Sequence, residues 1–261
     1  VFWGRSTSHT QYRHDRRFCG FDALYIDLEH NPTSLETAAA ICIAAIGLGI
    51  TAIARVFLHD AARILDCGAQ GVMVPHVNNA AEARAIVDAC RFAPLGHRSA
   101  AATLPSLGYA ALSQPEICRT LNQETLLMAM IETPEAVANA HAIAAVEGID
   151  VLHIGSTDLS TEMGIPGDYK HERMREAFES VASAAKAHGK AIGGRRRTAG
   201  RAVPDLAART GCSLPDQRVR YAVHPQRRTS RRHADQGGGS NRFDWNSLNH
   251  FRNMISVSMT S

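Results

Sequence analysis

Apolar residues in this chain fall into short runs that stop abruptly at ionisable or turn residues, and between the runs they recur at helical spacing. Runs at 23–28, 51–56, 71–75, 125–131, 150–154 and 190–192 are short and continuous enough to predict buried strands. Leu35, Ala38, Ala39, Cys42, Ala45 and Ile46 repeat with helical period, which predicts a helix over 35–48. Further helices are predicted at 60–67, at 80–91 with Asn79 as its cap, at 134–146 with Pro134 in the first turn, and at 171–188 before Gly189. The segment 93–123 is punctuated by Pro94, Gly96, Pro105, Gly108 and Pro115, so it reads as loop with one or two short helices. Strands alternating with helices of this length predict βα units on a parallel sheet. Six such strands are two short of a closed eightfold barrel.

The strand ends carry the chemistry. Ala23-Leu24-Tyr25-Ile26 runs into Asp27-Leu28-Glu29-His30, Leu126–Ile131 into Glu132-Thr133-Pro134, and Val151–Ile154 into Gly155-Ser156-Thr157-Asp158. In a parallel α/β barrel such ends gather at the C-terminal rim, where enzymes of this architecture keep their active sites. Two carboxylates and an Asp/His pair from different strands suit a divalent metal with a base beside it. From the residues alone, Glu132 and Asp158 also suit helix capping, and His30 a surface position after a strand.

The 261 residues are 45% hydrophobic and 20% charged, which fits a folded globular chain with a substantial core. A formal charge of +3 is too small to imply nucleic acid or membrane partners. The six cysteines form no Cys-x-x-Cys pair and read as reduced thiols of a cytoplasmic protein. No apolar run approaches the ~20 residues of a bilayer span, and no signal-peptide pattern opens the chain, whose start at Val1 reads as a fragment or processed product. Both ends depart from the central pattern. Residues 1–19 are polar and mixed, and after Gly194 an arginine-rich stretch opens with Arg195-Arg196-Arg197 and contains Gly237-Gly238-Gly239-Ser240. Three readings stand for that stretch: a shifted reading frame never selected to fold, a disordered basic tail that binds polyanions, or an unusual folded end. The expected organisation is therefore an atypical segment 1–19, a core 20–194 and an atypical Arg-rich segment 195–261.

Five ordered motifs make the reading specific. Ile26-Asp27-Leu28-Glu29-His30, Ala54-Arg55-Val56, Gly68–Pro75, Ile131-Glu132-Thr133 and Ile154–Ser160 resemble, in this order, the HpcH/HpaI aldolase family over about residues 20–193. That resemblance implies a (β/α)8 TIM barrel of the phosphoenolpyruvate/pyruvate-binding type, here imperfect at its first and eighth strands. It implies a class II, metal-dependent lyase that reversibly cleaves a 4-hydroxy-2-oxo acid to pyruvate and an aldehyde through an enolate. It also implies a homo-oligomer, commonly a hexamer, with a small 2-oxo acid as its partner.

By resemblance, Glu132 and Asp158 hold the divalent cation, Mg2+ or Mn2+ with Co2+ as a further fit. His30 is the catalytic histidine, Asp27 the carboxylate that orients it, and Arg55 the donor that supports the enolate. Ser156 and Thr157 lie where backbone amides receive the substrate carboxylate, and Arg98, in Gly96-His97-Arg98-Ser99, lies in a loop that lines the aldehyde pocket. Glu29 fits a supporting role or a contact with a neighbouring subunit. The chain departs from the family at Met130, where a glutamine is common, and at His76, where a methionine is frequent. His153 fits either the barrel interior or a helix contact. The rival readings are a catalytically impaired family remnant, an interaction protein, and a polyanion binder acting through the arginine-rich stretch.

Overall fold

A computed structural model describes residues 23–194 and a strand at 254–257. The predicted strands form as β1 (Ala23–Asp27), β2 (Thr51–Arg55), β3 (Gly71–Val74), β4 (Leu126–Ile131), β5 (Val151–Ile154) and β6 (Ala191–Gly194). Between them run α1 (Leu35–Gly47), α2 (Leu58–Asp66), α3 (Ala80–Cys90), α4 (Gln114–Glu124), α5 (Pro134–Ala138), α6 (Ala140–Ala144), α7 (Ser156–Glu162) and α8 (Glu172–Ala187). Polar caps start several of these helices. The Ser34 side chain accepts the Thr37 amide ahead of α1, Asn79 accepts Ala81 and Glu82 ahead of α3, and Ser113 with Glu116 closes a capping box on α4.

All strand pairs are parallel, in the order β6-β5-β4-β3-β2-β1, and a seventh strand, β7 (Met254–Val257), adds to the free edge of β1. Alternate side chains serve two cores. Leu24, Ile26, Ala52, Ala54, Val72, Leu127, Ala129 and Leu152 pack beneath the helices, while Ala23, Ile53, Met73, Met128, Met130 and Val151 fill the concave face. Burial on both faces explains why the strands read as unbroken apolar runs rather than as alternating ones.

The (β/α)8 barrel, expected to be imperfect at its first and eighth strands, is an open half-barrel among the described residues. Among the described residues β6 and β7 terminate the sheet without pairing to each other, so it does not close. Closure needs strand number, tilt and register that fit together around the ring. The strand at 254–257 falls where no element was expected, and occupies the sheet position beside β1 that the resemblance gives to a first strand. The rest of the atypical segments 1–19 and 195–261 lies outside the described residues. Two local expectations also change. The helix over 134–146 divides at Asn139, whose side-chain amide donates to the Asn78 carbonyl (2.8 Å), and the segment 93–123 runs into an 11-residue helix, α4, that ends at Glu124.

At the face of the sheet opposite the strand C-termini, Arg91 follows α3 and is 2% exposed. Its guanidinium donates to the carbonyls of Asn122, Thr125 and Gly148 and to the Asp150 carboxylate. This single side chain joins the segments that lead into β4 and β5.

Candidate active site

Parallel strands in register deliver their C-terminal residues to one rim. Asp27 ends β1 opposite Arg55 at the end of β2, His76 lies just past β3, Glu132 follows β4, and Gly155 and Asp158 follow β5. The Asp27 carboxylate accepts from Arg55 Nε at 2.9 Å and from Arg55 Nη2, while Arg55 Nη1 reaches Glu29 Oε2 at 3.0 Å. Asp27 Oδ1 also takes the Glu29 amide (3.1 Å) and the His30 amide (3.4 Å). Glu132 is 1% exposed. Its Oε2 accepts the His76 amide at 3.0 Å, and its buried Oε1 has no hydrogen-bond partner. A Cβ on Gly155 would sit 2.2 Å from that Oε1, so only glycine lets β5 pass this close to the carboxylate.

The two ends of this charge array differ in how well they are satisfied. Burial alone would raise Asp27, but the Arg55 hydrogen bond and charge, with the two amides, hold it below the usual carboxylate range. Burial opposes the charge of Arg55 as well, and contact with Asp27 and Glu29 more than offsets it. Glu132 is pushed up, first by burial; the His76 amide and charge offset this in part, and the charges of Asp158 and Glu29 add to it. A buried carboxylate with one oxygen unpartnered and like charge nearby favours an arriving cation.

Most of the expected site residues come together, with two changes. Asp27 meets His30 only through its backbone amide; the His30 ring is exposed and lies 3.8 Å from Glu29 Oε2, because Arg55 occupies the Asp27 carboxylate. Arg98 is corrected as a substrate-binding residue. Its guanidinium is buried against Asp66 (2.7 Å) and over the Phe92 ring (4.8 Å), and its amide bonds to the Arg91 carbonyl, at the face opposite the rim. It fastens the loop after α3 to the end of α2. Ser156 and Thr157 occupy the first turn of α7 beside Asp158, with Thr157 Oγ1 3.4 Å from the Tyr169 hydroxyl. The residue understated by sequence reasoning is His76, whose ring contacts Glu29 (3.1 Å) and Glu132 (3.6 Å). Its only sequence signal was its departure from the methionine frequent in the family.

The donor set fits a hard divalent cation. Glu132 Oε1 is free to ligate, the charge of Asp158 reaches this carboxylate, and oxygen donors of this kind suit Mg2+ or Mn2+. Among the described residues no group of three His, Cys, Asp or Glu side chains is clustered as a metal cage. Two carboxylates with remaining positions left to water and substrate are the usual arrangement for Mg2+. A cavity of about 590 Å³ lies elsewhere, in the helical layer, lined by Arg84, Asp88 and Leu95 beside Ala142 and Val146.

His153 shares the concave face with Val151 and Met130, which settles its direction. Burial and the nearby Arg55 charge lower its pKa from 6.5 to about 3. The unfolded chain therefore takes up this proton first, and folded stability falls as the pH drops from 6.5 toward 3. His153→Gln should flatten that slope by about one proton, or about 1.4 kcal/mol per pH unit. Urea unfolding across the window measures it; an unchanged slope would show that His153 titrates normally. Asp27 contributes only lower, below its unfolded value of 3.8, so the two are separable.

Comparison with known proteins places this geometry. The chain is 44% identical over 179 residues to a 4-hydroxy-4-methyl-2-oxoglutarate aldolase of Hapsidospora irregularis, covering 67% of this chain and 66% of that one. It is 36% identical over 178 residues to a hydroxypyruvate/pyruvate aldolase of Delftia acidovorans, covering 67% and 65%. The chain thus spans slightly less than two thirds of these relatives' length. The crystal structure of an HpcH/HpaI aldolase from Desulfitobacterium hafniense superposes with a TM-score of 0.69 at 27% identity, over 75% of this chain and 76% of that one. With residues 2–195 matching the family as a whole, the chain belongs to the HpcH/HpaI aldolase/citrate lyase family.

Proposed function

We propose that this chain is a class II lyase that reversibly cleaves a 4-hydroxy-2-oxo acid to pyruvate and an aldehyde. The observation that carries the reading is Glu132: a buried carboxylate at the rim, one oxygen unpartnered, that feels the negative charge of Asp158. Glu132 through Oε1 and Asp158 would hold Mg2+ or Mn2+, with Co2+ as a further fit. When bound, the cation supplies Lewis-acid stabilisation of the negative charge that develops on the 2-oxo acid.

The chain's own residues do the rest. Amides of Ser156 and Thr157 in the first turn of α7 orient the substrate carboxylate. His30, exposed at the rim, takes the proton from the 4-hydroxyl as the C3–C4 bond breaks and the aldehyde departs; the electron pair passes to the enolate, which is reprotonated at C3. Asp27 fixes the His30 backbone, and holds Arg55 with Glu29. The guanidinium is committed to these carboxylates only in part, leaving N–H donors for the keto oxygen. A cytoplasmic setting accords with the free cysteines Cys42, Cys67, Cys90 and Cys118, and a homo-oligomer with the family resemblance. Among the described residues no helix is long and apolar enough to cross a membrane.

Pyruvate release from a 4-hydroxy-2-oxo acid tests the reading. Activity should disappear in EDTA and return with Mn2+; turnover that persists without metal would sink it.

A further inference from the structure

We propose that His76 is a positioning residue of this site: its backbone and its imidazole together hold Glu132 so that Oε1 alone is presented for ligation. The inference rests on the assignment of Glu132 as a metal ligand made above.

His76 has a φ of +56°, the left-handed region, in a residue that is not glycine. That conformation costs free energy and persists only where surrounding contacts fix it. They do so here. The Val77 amide donates to the Met130 carbonyl (3.2 Å), the Asn78 amide to Glu82 (2.7 Å), and the Thr133 hydroxyl to Asn78 Oδ1 (2.5 Å), while Asn79 caps α3. The result is an amide at position 76 aimed at Glu132 Oε2.

The imidazole also approaches the same oxygen. Its Nδ1 lies 3.6 Å from Glu132 Oε2 and its Nε2 3.1 Å from Glu29 Oε1; Glu29 is itself tied to Arg55. The interactions thus run from Asp27 through Arg55, Glu29 and His76 to Glu132, linking the ends of β1, β2, β3 and β4. The ring is 53% exposed, so packing does not account for its place. Both contacts to Oε2 come from one residue, and Oε1 receives none. A carboxylate anchored through one oxygen cannot rotate the other away from its target, which is what a ligand needs from the groups behind it.

Three variants separate the backbone from the ring. His76→Gly keeps the left-handed backbone and its amide but removes the imidazole. His76→Asn tolerates the same backbone and retains a short polar side chain. His76→Val resists the left-handed region and displaces the amide. Mn2+ titration followed by electron paramagnetic resonance should show about tenfold weaker binding for His76→Gly, a greater loss for His76→Val and partial recovery for His76→Asn. His76→Gly and His76→Asn should still unfold cooperatively in EDTA, so that weaker Mn2+ binding is not loss of the fold. Mn2+ bound as tightly by both as by the unaltered protein would overturn the proposal while leaving the metal assignment standing. If the unaltered protein shows no Mn2+ binding that depends on Glu132, both fall.

Discussion

Glu132→Gln should melt higher than the unaltered protein in EDTA while its pyruvate formation falls about a thousandfold. The two effects have one cause. The carboxylate is almost fully buried, its Oε1 lacks a partner, and Asp158 and Glu29 place like charge near it. Its folded pKa lies above the ordinary value of 4.5, so the stability linked to this group is present below 4.5 and is lost as the pH rises through the folded pKa. At neutral pH the ionised form is a burden on the fold. Glutamine keeps an acceptor for the His76 amide and removes the charge. A gain of about 1 kcal/mol would raise the melting temperature by about 2–4 °C in a chain of this size. The gain should vanish near pH 4, where both proteins carry an uncharged group, and shrink when Mn2+ is added to the unaltered protein. The loss of activity corresponds to several kcal/mol of lost charge stabilisation. A variant that melts lower at neutral pH in EDTA would show that the carboxylate is satisfied in the fold.

The contrast with Asp27 gives this prediction its force. Asp27 is also buried, yet Arg55 and two amides satisfy it, so its ionisation supports the fold. Of these two buried carboxylates, one is balanced by protein groups and the other is left open. Strain and unsatisfied charge retained at one point of an otherwise consistent fold mark function rather than packing.

Sequence made the strands and the rim residues legible because burial on both faces writes continuous apolar runs, and the rim interrupts them with charge. Glu132 and Asp158 stood out for that reason. What sequence could not convey was which partner each charge chooses. Asp27 and His30 are near neighbours in the chain, but Arg55, a whole βα unit later, lies opposite Asp27 in register and takes its carboxylate. Arg98 was read from its loop's resemblance, while its position depends on where α2 ends, since Asp66 draws it to the opposite face. His76 requires a left-handed backbone that nothing in its residue type announces. The shortage of strands, by contrast, was legible: the count fell two short of an eightfold barrel, and among the described residues β6 and β7 do not pair.

Arg91→Met should cost about 2–3 kcal/mol of folding stability, because the guanidinium is buried while its carboxylate partner, Asp150, is about a third exposed. In the sequence Arg91 looks ordinary, a cation after a helix where the helix dipole favours positive charge. In the fold it is 2% exposed and bonds to Asn122 O (2.7 Å), Thr125 O (2.8 Å), Gly148 O (2.9 Å) and Asp150 Oδ2 (2.8 Å). Asp150 Oδ2 also accepts the Leu127 amide (2.8 Å), so the guanidinium fixes the entry to β4 and β5 together. Methionine fills much of the volume but leaves three carbonyls and a carboxylate short of a donor. Arg91→Lys should recover little, because a single ammonium on a flexible stem cannot span acceptors arranged around a planar fork. Asp150→Asn should cost less than Arg91→Met, and the double variant less than the sum, since the first loss already frees the charge the second removes. Urea midpoints at constant slope measure all four variants. A cost below about 1 kcal/mol for Arg91→Met would mean that water enters and replaces the guanidinium. A cost in the expected range would place the main anchor of β4 and β5 at the face opposite the rim. Glu132 could then remain unsatisfied at one end of β4 because the other end of the strand is fastened by Arg91.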